Sequence, residues 1–252
     1  MWSERQAIEL FHLVFVAHLG RRVDKALFAI KGGCNLRFYC RSIRYSEDID
    51  LDIRTMAPAT LARNVDSLLA SPAFGQELRA RQIEVIHVTS AKQTPTTQRW
   101  KLGLRVAGGP SLPTKVEFSR RRGLDPGHLL EPVDAELVRT YELFPVLAQH
   151  YSPAAAFRQK VVALSRRTET QARDVFDLKL LLDGGGGREK LPADVAAEIP
   201  RAVENALTVG FDEFSGQVRA YLAADYQDYY GSRKVWEALQ HEVVDALQER
   251  SP

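Results

Sequence analysis

Two cysteines in 252 residues, Cys34 and Cys40, supply neither a disulfide framework nor a zinc-ligand spacing. That sparing usage agrees with a reducing compartment, and both read as packing residues. Long apolar runs are also missing. The richest, residues 8–19, is interrupted by Glu9, His12 and His18 and is too short to span a bilayer. It has no basic start, continuous apolar middle or cleavage site of a secretory signal. A cytoplasmic protein with no membrane partner is therefore expected, and the run's spacing predicts an amphipathic helix. No internal repeat is evident, and the only low-complexity stretch, the four glycines 184–187, reads as a linker or a functional hinge. Net charge is small, formally +2, yet 45% hydrophobic and 26% charged residues exclude a disordered chain. The length suffices to bury a sizeable core as one large domain or two small ones.

The near-zero net charge hides an asymmetry. Between residues 79 and 122 stand ten basic residues, Arg79, Arg81, Lys92, Arg99, Lys101, Arg105, Lys115, Arg120, Arg121 and Arg122, against Glu84 and Glu117. That block carries about +8 and leaves the remainder near −6. It is read either as a face for a polyanion or as basic residues that keep strand edges soluble.

The densest chemistry lies in residues 31–52, KGGCNLRFYCRSIRYSEDIDLD. On a strand, Asp48, Asp50 and Asp52 share one face while Ile49, Leu51 and Ile53 share the other. Carboxylates two residues apart, roughly 6.5 to 7 Å between Cα atoms, repel unless they stay solvated or a cation lies between them. A hard ion such as Mg²⁺, held by one or two carboxylates plus phosphate oxygens, suits them. Upstream, Gly32-Gly33 joins a short strand (27–31) to a helix (34–40). A glycine pair there lets backbone approach a ligand, and a helix N-terminus offers N–H groups to phosphate. Taken singly, Asp-x-Asp is an ordinary solvated face and Gly-Gly an ordinary turn. In this order they describe a phosphate cradle facing a metal site, with Asp52 a bystander at the strand's end.

Periodicity predicts helices at 3–19 and 58–70, the second with Pro58 in its first turn, and strands at 47–53, 83–88, 99–106 and 114–119. In 99–106, Trp100, Leu102, Leu104 and Val106 alternate with Arg99, Lys101, Gly103 and Arg105. Residues 108–110 read as a hairpin turn. Val116 and Phe118 oppose Lys115, Glu117 and Ser119, so Glu117 points away from the core. It is either a further site carboxylate or the partner of Lys115 or of Arg120–Arg122. After Pro153 the pattern is helical, at 154–166, 170–182, 192–208, 211–223 and 232–250. Lys160 borders the Phe157, Val161, Leu164 stripe, where a lysine ordinarily snorkels. Asp177 lies between Phe176 and Leu178. Burial there demands a partner such as Arg173 or Lys160, or a place in the active site. Phe211, Phe214, Tyr221, Tyr226, Tyr229, Tyr230 and Trp236 read as a helical core, with Tyr226–Tyr230 also able to stack on bases.

These residues resemble the nucleotidyltransferase superfamily typified by DNA polymerase β, and within it the AbiEii/AbiGii-type toxins. The resemblance rests on Lys31-Gly32-Gly33, Leu36-Arg37, Arg44, Ser46-x-Asp48-Ile49-Asp50-Leu51, Lys160 and Arg173-Asp174-x-x-Asp177-Leu178, within residues 27–182. Many superfamily members carry Gly-Ser where this chain has Gly32-Gly33, so one phosphate-touching hydroxyl is missing; the AbiEii-like branch carries Gly-Gly.

The resemblance implies an α/β (α+β) fold, a mixed sheet with flanking helices over residues 1–150, and a helical region 151–252 that completes the active site. It implies Lys31, Gly32, Gly33, Arg44, Ser46 and Lys160 as nucleotide contacts and Asp48, Asp50, Lys160, Asp174 and Asp177 as catalytic. Asp48, Asp50 and Glu117 become the metal ligands, with Mg²⁺ (or Mn²⁺) as cofactor and a nucleoside triphosphate as substrate. It further implies tRNA as the acceptor, arrest of translation and growth, and a cognate antitoxin protein. A small-molecule or protein acceptor, or a non-catalytic nucleotide- or RNA-binding module, stays open beside this.

Overall fold

The computed structural model describes residues 2–120 and 127–251 and divides the chain into two compact units. The first takes the chain up to Tyr39 and from Tyr45 to His150; the second takes Cys40–Arg44 and the chain from Tyr151 onward.

In the first unit, α1 (Glu4–Leu19) starts from a reciprocal cap between Ser3 and Gln6. The expected amphipathic helix is instead buried almost all round, from Ala7 to Leu19. Its polar interruptions go inside because each finds a partner. Glu9 accepts from Arg37 and from the Tyr141 hydroxyl at 2.6 Å each, His18 meets Glu77 at 2.8 Å, and His12 meets Thr114 at 2.9 Å.

There follow β1 (Phe28–Lys31), α2 (Gly32–Tyr39), β2 (Ile49–Ile53), α3 (Pro58–Leu69), α4 (Pro72–Arg79), β3 (Ile83–Gln93), β4 (Thr97–Val106) and β5 (Ser111–Ser119). Beyond come β6 (His128–Pro132), α5 (Ala135–Thr140) and β7 (Leu147–Tyr151). The strands form one mixed sheet in the order β3-β4-β5-β2-β1-β7-β6. β2 runs parallel to β5 and antiparallel to β1, β1 runs parallel to β7, and β4 runs antiparallel to both of its neighbours, β3 and β5. The alternation read in β4 buries Trp100, Leu102 and Leu104 and turns Arg99, Lys101 and Arg105 outward. The Trp100 indole N–H donates to Asp66 at 2.7 Å, so the largest core side chain leaves no polar atom unsatisfied. Helix α1 packs on β4, β5, α3 and α4 and closes this face of the sheet. α4, β6, α5 and β7 carry too short or too exposed a pattern to stand out in the sequence.

The second unit contains α6 (Pro153–Arg166), α7 (Ala172–Asp183), α8 (Ala193–Ala196), α9 (Ile199–Thr208), α10 (Phe211–Gln217), α11 (Ala224–Gln227) and α12 (Arg233–Gln248). α6 and α12 each pack against both α7 and α9. The expected helix 192–208 breaks before Ile199, and 211–223 stops at Gln217. Phe214 and Trp236 stack at 4.4 Å in the core, whereas Tyr226 and Tyr229 are exposed. The four glycines are not a linker or hinge. Gly185 turns the chain at φ +79°, the Gly186 N–H donates to Leu181 at 2.7 Å, and a Cβ on Gly186 would lie 2.8 Å from the Pro153 carbonyl. Only glycine fits so close a turn. Among the described residues, no helix is long and apolar enough to cross a membrane.

Candidate active site

The site is built where β1 ends. Gly32 adopts φ +65°, the left-handed region that favours glycine, and its Cα stands so close to β2 that an added Cβ would lie 3.4 Å from Asp50 Oδ2. Helix α2 begins at this residue, so the N–H groups of its first turn have no partner within the helix. Gly32→Ala is expected to cost about 1–2 kcal/mol of stability through left-handed strain, measurable by urea denaturation, and to weaken nucleotide binding by disturbing the turn.

Strand register then assembles a charged face. Asp50 of β2 lies opposite Glu117 of β5, which lies opposite Arg99 of β4. Lys115 of β5 lies opposite Lys101 of β4. Arg99 Nε holds Glu117 Oε2 at 2.5 Å, so neither Lys115 nor Arg120 is its partner among the described residues; Arg120 bonds Gln98, and Arg121 and Arg122 lie outside the described residues. Lys115 takes Asp48 instead, its backbone N–H donating to Oδ1 at 3.1 Å and its ammonium to Oδ2 at 2.7 Å. The three carboxylates Asp48, Asp50 and Glu117 are thus not gathered as a ready ligand set, and among the described residues no three His, Cys, Asp or Glu side chains are.

Asp50 is the exception on this face. It has no ion-pair or hydrogen-bond partner among the described residues. Burial, together with Glu117 and Asp48, outweighs Lys115 and Lys31 and holds its carboxyl above the ordinary Asp range. A carboxylate in that condition, beside a second one and a glycine whose Cβ is missing, fits a divalent cation with phosphate oxygens as its remaining ligands.

A buried strut fixes the turn that carries Asp48. Its carbonyl accepts from the Ser46 hydroxyl at 2.8 Å and from the Cys34 thiol at 3.3 Å. The preceding Glu47 carbonyl accepts from Thr114 at 2.7 Å. With that proton committed, Thr114 accepts from His12 Nε2, which assigns His12 as the neutral Nε2–H tautomer. Burial pushes its pKa down to about 3, in keeping with a neutral ring. Ser46, expected to touch a nucleotide, therefore spends its proton on its own turn. His12, Cys34, Thr114, Lys115 and Arg99 were missed as site residues because the packing of α1 and α2 and the register of the strands bring them there; Lys115 and Arg99 had a visible signal, their alternation with core residues.

The remaining candidates pair inside their own units. Lys31 and Asp52 form a buried ion pair at 2.5 Å, so Asp52 is no bystander: it neutralises the lysine expected to bind phosphate. In the second unit Asp177, wholly buried, accepts from Arg44 at 2.9–3.2 Å and meets Lys160 at 2.6 Å. Asp174, also buried, meets Lys160 at 2.8 Å and Arg167 at 2.5 Å. Arg44, rather than Arg173, is the arginine on Asp177. Burial alone would raise both aspartates; Lys160 and Arg167 around Asp174, and Arg44 and Lys160 around Asp177, reverse this and leave both below the ordinary range.

The sequence profile of the AbiEii nucleotidyl transferase toxins, a type IV toxin–antitoxin family, matches residues 14–239. The chain belongs to that family. It is accordingly a nucleotidyltransferase, and the family implies an antitoxin partner. Its fold is similar to a putative nucleotidyltransferase from Helicobacter pylori, at TM-score 0.62 and 16% identity with all of both chains covered. JHP933 from the same organism matches at TM-score 0.60 and 16% identity, over 99% of this chain and 96% of that one. MenT4, a nucleotidyltransferase toxin from Mycobacterium tuberculosis H37Rv, matches at TM-score 0.61 and 15% identity, over 99% and 94%. Among curated proteins no sequence matches the chain.

Proposed function

We propose that this family member moves a nucleotide from a nucleoside triphosphate to an acceptor hydroxyl, that Mg²⁺ or Mn²⁺ is required, and that the acceptor is the 3′ end of tRNA. The observation that supports this best is the unpartnered Asp50, its ionised form disfavoured, set beside Asp48 and against Gly32. Asp48 and Asp50 hold the ion and Glu117 assists. When bound, the ion supplies charge neutralisation and polarisation at the phosphoryl oxygens. Gly32-Gly33 and the first turn of α2 cradle the triphosphate, an arrangement in which catalysis is chiefly positioning and electrostatics. The acceptor attacks the α-phosphorus and pyrophosphate leaves.

The acceptor assignment draws on the outward face of the β3–β5 sheet. Arg99, Lys101, Arg105 and Lys115 line it, with Lys92 across from Arg99. Lys101 stands directly opposite Lys115, which Asp48 already pairs, so Lys101 is the cation of this couple left to attract a polyanion. Lys160 and Arg44 are kept as phosphate contacts on the resemblance alone, because both spend their charge on Asp174 and Asp177. Arrest of translation in the cytoplasm, where triphosphates and tRNA meet, is the expected consequence.

Each of the four labelled triphosphates, incubated with Mg²⁺ and the full chain with and without total RNA, tests the whole reading. Label is expected in an RNA the size of tRNA. Label in protein or in a small molecule would reassign the acceptor, and no label with any acceptor would reject transfer.

A further inference from the structure

We propose that the Lys115 ammonium is an internal counter-ion of Asp48, one that a divalent cation must displace to occupy the carboxylate pair. This rests on the metal-dependent reading above and adds to it a residue that holds the site in the free protein. Lys115 engages both oxygens of Asp48, Oδ1 through its backbone N–H and Oδ2 through its ammonium. The two contacts differ in what they allow. A carboxylate oxygen keeps a lone pair when it accepts from a neutral N–H, so the Oδ1 contact can persist beside a metal. An ammonium 2.7 Å from Oδ2 stands where a dication would stand, and like charges exclude one another.

The surroundings favour its departure. Lys101 faces Lys115 across the β4–β5 ladder with the same charge. The Lys115 side chain is 32% exposed and that of Asp48 27%, so the pair is open to water and weakly held. Lys31 with Asp52 is the contrast: at 9% and 2% exposed, that pair is sealed and stays closed. Once freed, Lys115 remains on the face of Asp50 and Glu117, a flexible point charge suited to a phosphate oxygen.

Mn²⁺ titration of the full chain without nucleotide, read from the paramagnetic resonance of free Mn²⁺, tests this independently of turnover. Lys115→Met is expected to bind Mn²⁺ about three- to fivefold more tightly, the range a partly exposed ion pair is worth. Lys101→Met removes the same charge from the same face without touching Asp48, and is expected to change affinity by less than about twofold. Unchanged or weaker binding in Lys115→Met, with Mn²⁺ still bound by the wild type and lost in Asp48→Asn, would overturn the counter-ion role and leave the metal site standing. Equal tightening in Lys101→Met would overturn it too, by showing a general field effect. Absence of Mn²⁺ binding in every variant, both without nucleotide and with saturating nucleoside triphosphate, would sink the metal reading itself, and the proposal with it.

Discussion

Asp50→Asn is expected to abolish nucleotide transfer while raising the melting temperature of the protein. The two effects share a cause. Asp50 is packed among β1, β2 and β5 with no partner of its own, and burial with Glu117 and Asp48 lifts its pKa. A carboxyl raised in the native state binds its proton more firmly there than in the unfolded chain. Its contribution therefore favours the fold below the ordinary Asp value of about 3.9 and is lost as pH climbs through the raised native value. At neutral pH, above the ordinary Asp value, the wild type bears that penalty. Asparagine keeps the shape and removes the charge, a change of the kind that commonly yields about 0.5–2 kcal/mol, or a few degrees in Tm. The same change removes half of the proposed metal-binding pair, and transfer should fall by at least about 10²–10³-fold, as when one preorganised electrostatic element is lost. Thermal melting in metal-free buffer and labelled-nucleotide transfer check both halves. Retained transfer would overturn the role of Asp50; a lower Tm would overturn the account of its environment.

What could be read from the sequence follows the range of the interaction. The β4 alternation, the Pro58 helix start and the order Gly32-Gly33 then Asp48-x-Asp50 are local, and each appears in the fold where the pattern put it. The errors are non-local. α1 looked amphipathic because Glu9, His12 and His18 interrupt it, yet their partners Arg37, Tyr141, Thr114 and Glu77 come from distant segments. Asp52 looked idle because Lys31, its partner, sits on another strand. Ser46 looked like a phosphate ligand because nothing in one dimension says that its hydroxyl turns back on Asp48. Charge alternation marks which side chains share a face, but register decides which of them neutralise each other, and register is set by the whole sheet.

Asp177→Ala should be the most destabilising single change in the second unit, by about 3–5 kcal/mol, because it breaks a buried ion pair by removing one charge and keeping the other. Arg44, 6% exposed, and Asp177, 0% exposed, stand 133 residues apart in sequence and bind through both carboxylate oxygens. Lys160 closes the cluster by bridging Asp177 and Asp174. Removing the carboxylate takes from buried Arg44 the anion that its Nε and Nη2 groups bind and returns Lys160 to Asp174 alone. Replacing both ends at once, Arg44→Met with Asp177→Leu, should cost less than Asp177→Ala, since an apolar pair carries no orphaned charge. Depressed native values for Asp174 and Asp177 mean that their stabilisation is complete above the ordinary Asp pKa of about 3.9 and is lost as pH falls through those values. Lys160, raised on balance by its two aspartates, acts at the other limit: its share is complete below the ordinary lysine value of about 10.4 and is lost as pH rises through its native one. Urea denaturation from pH 2 to 11 should show a plateau between these limits, and the double variant should lose much of the acid-side slope. Asp177→Asn separates structure from chemistry at this cluster. A variant that melts like the wild type yet transfers no nucleotide would make Asp177 a participant in the reaction; one that unfolds early and recovers transfer at low temperature would make it a clamp that ties Arg44 to α7.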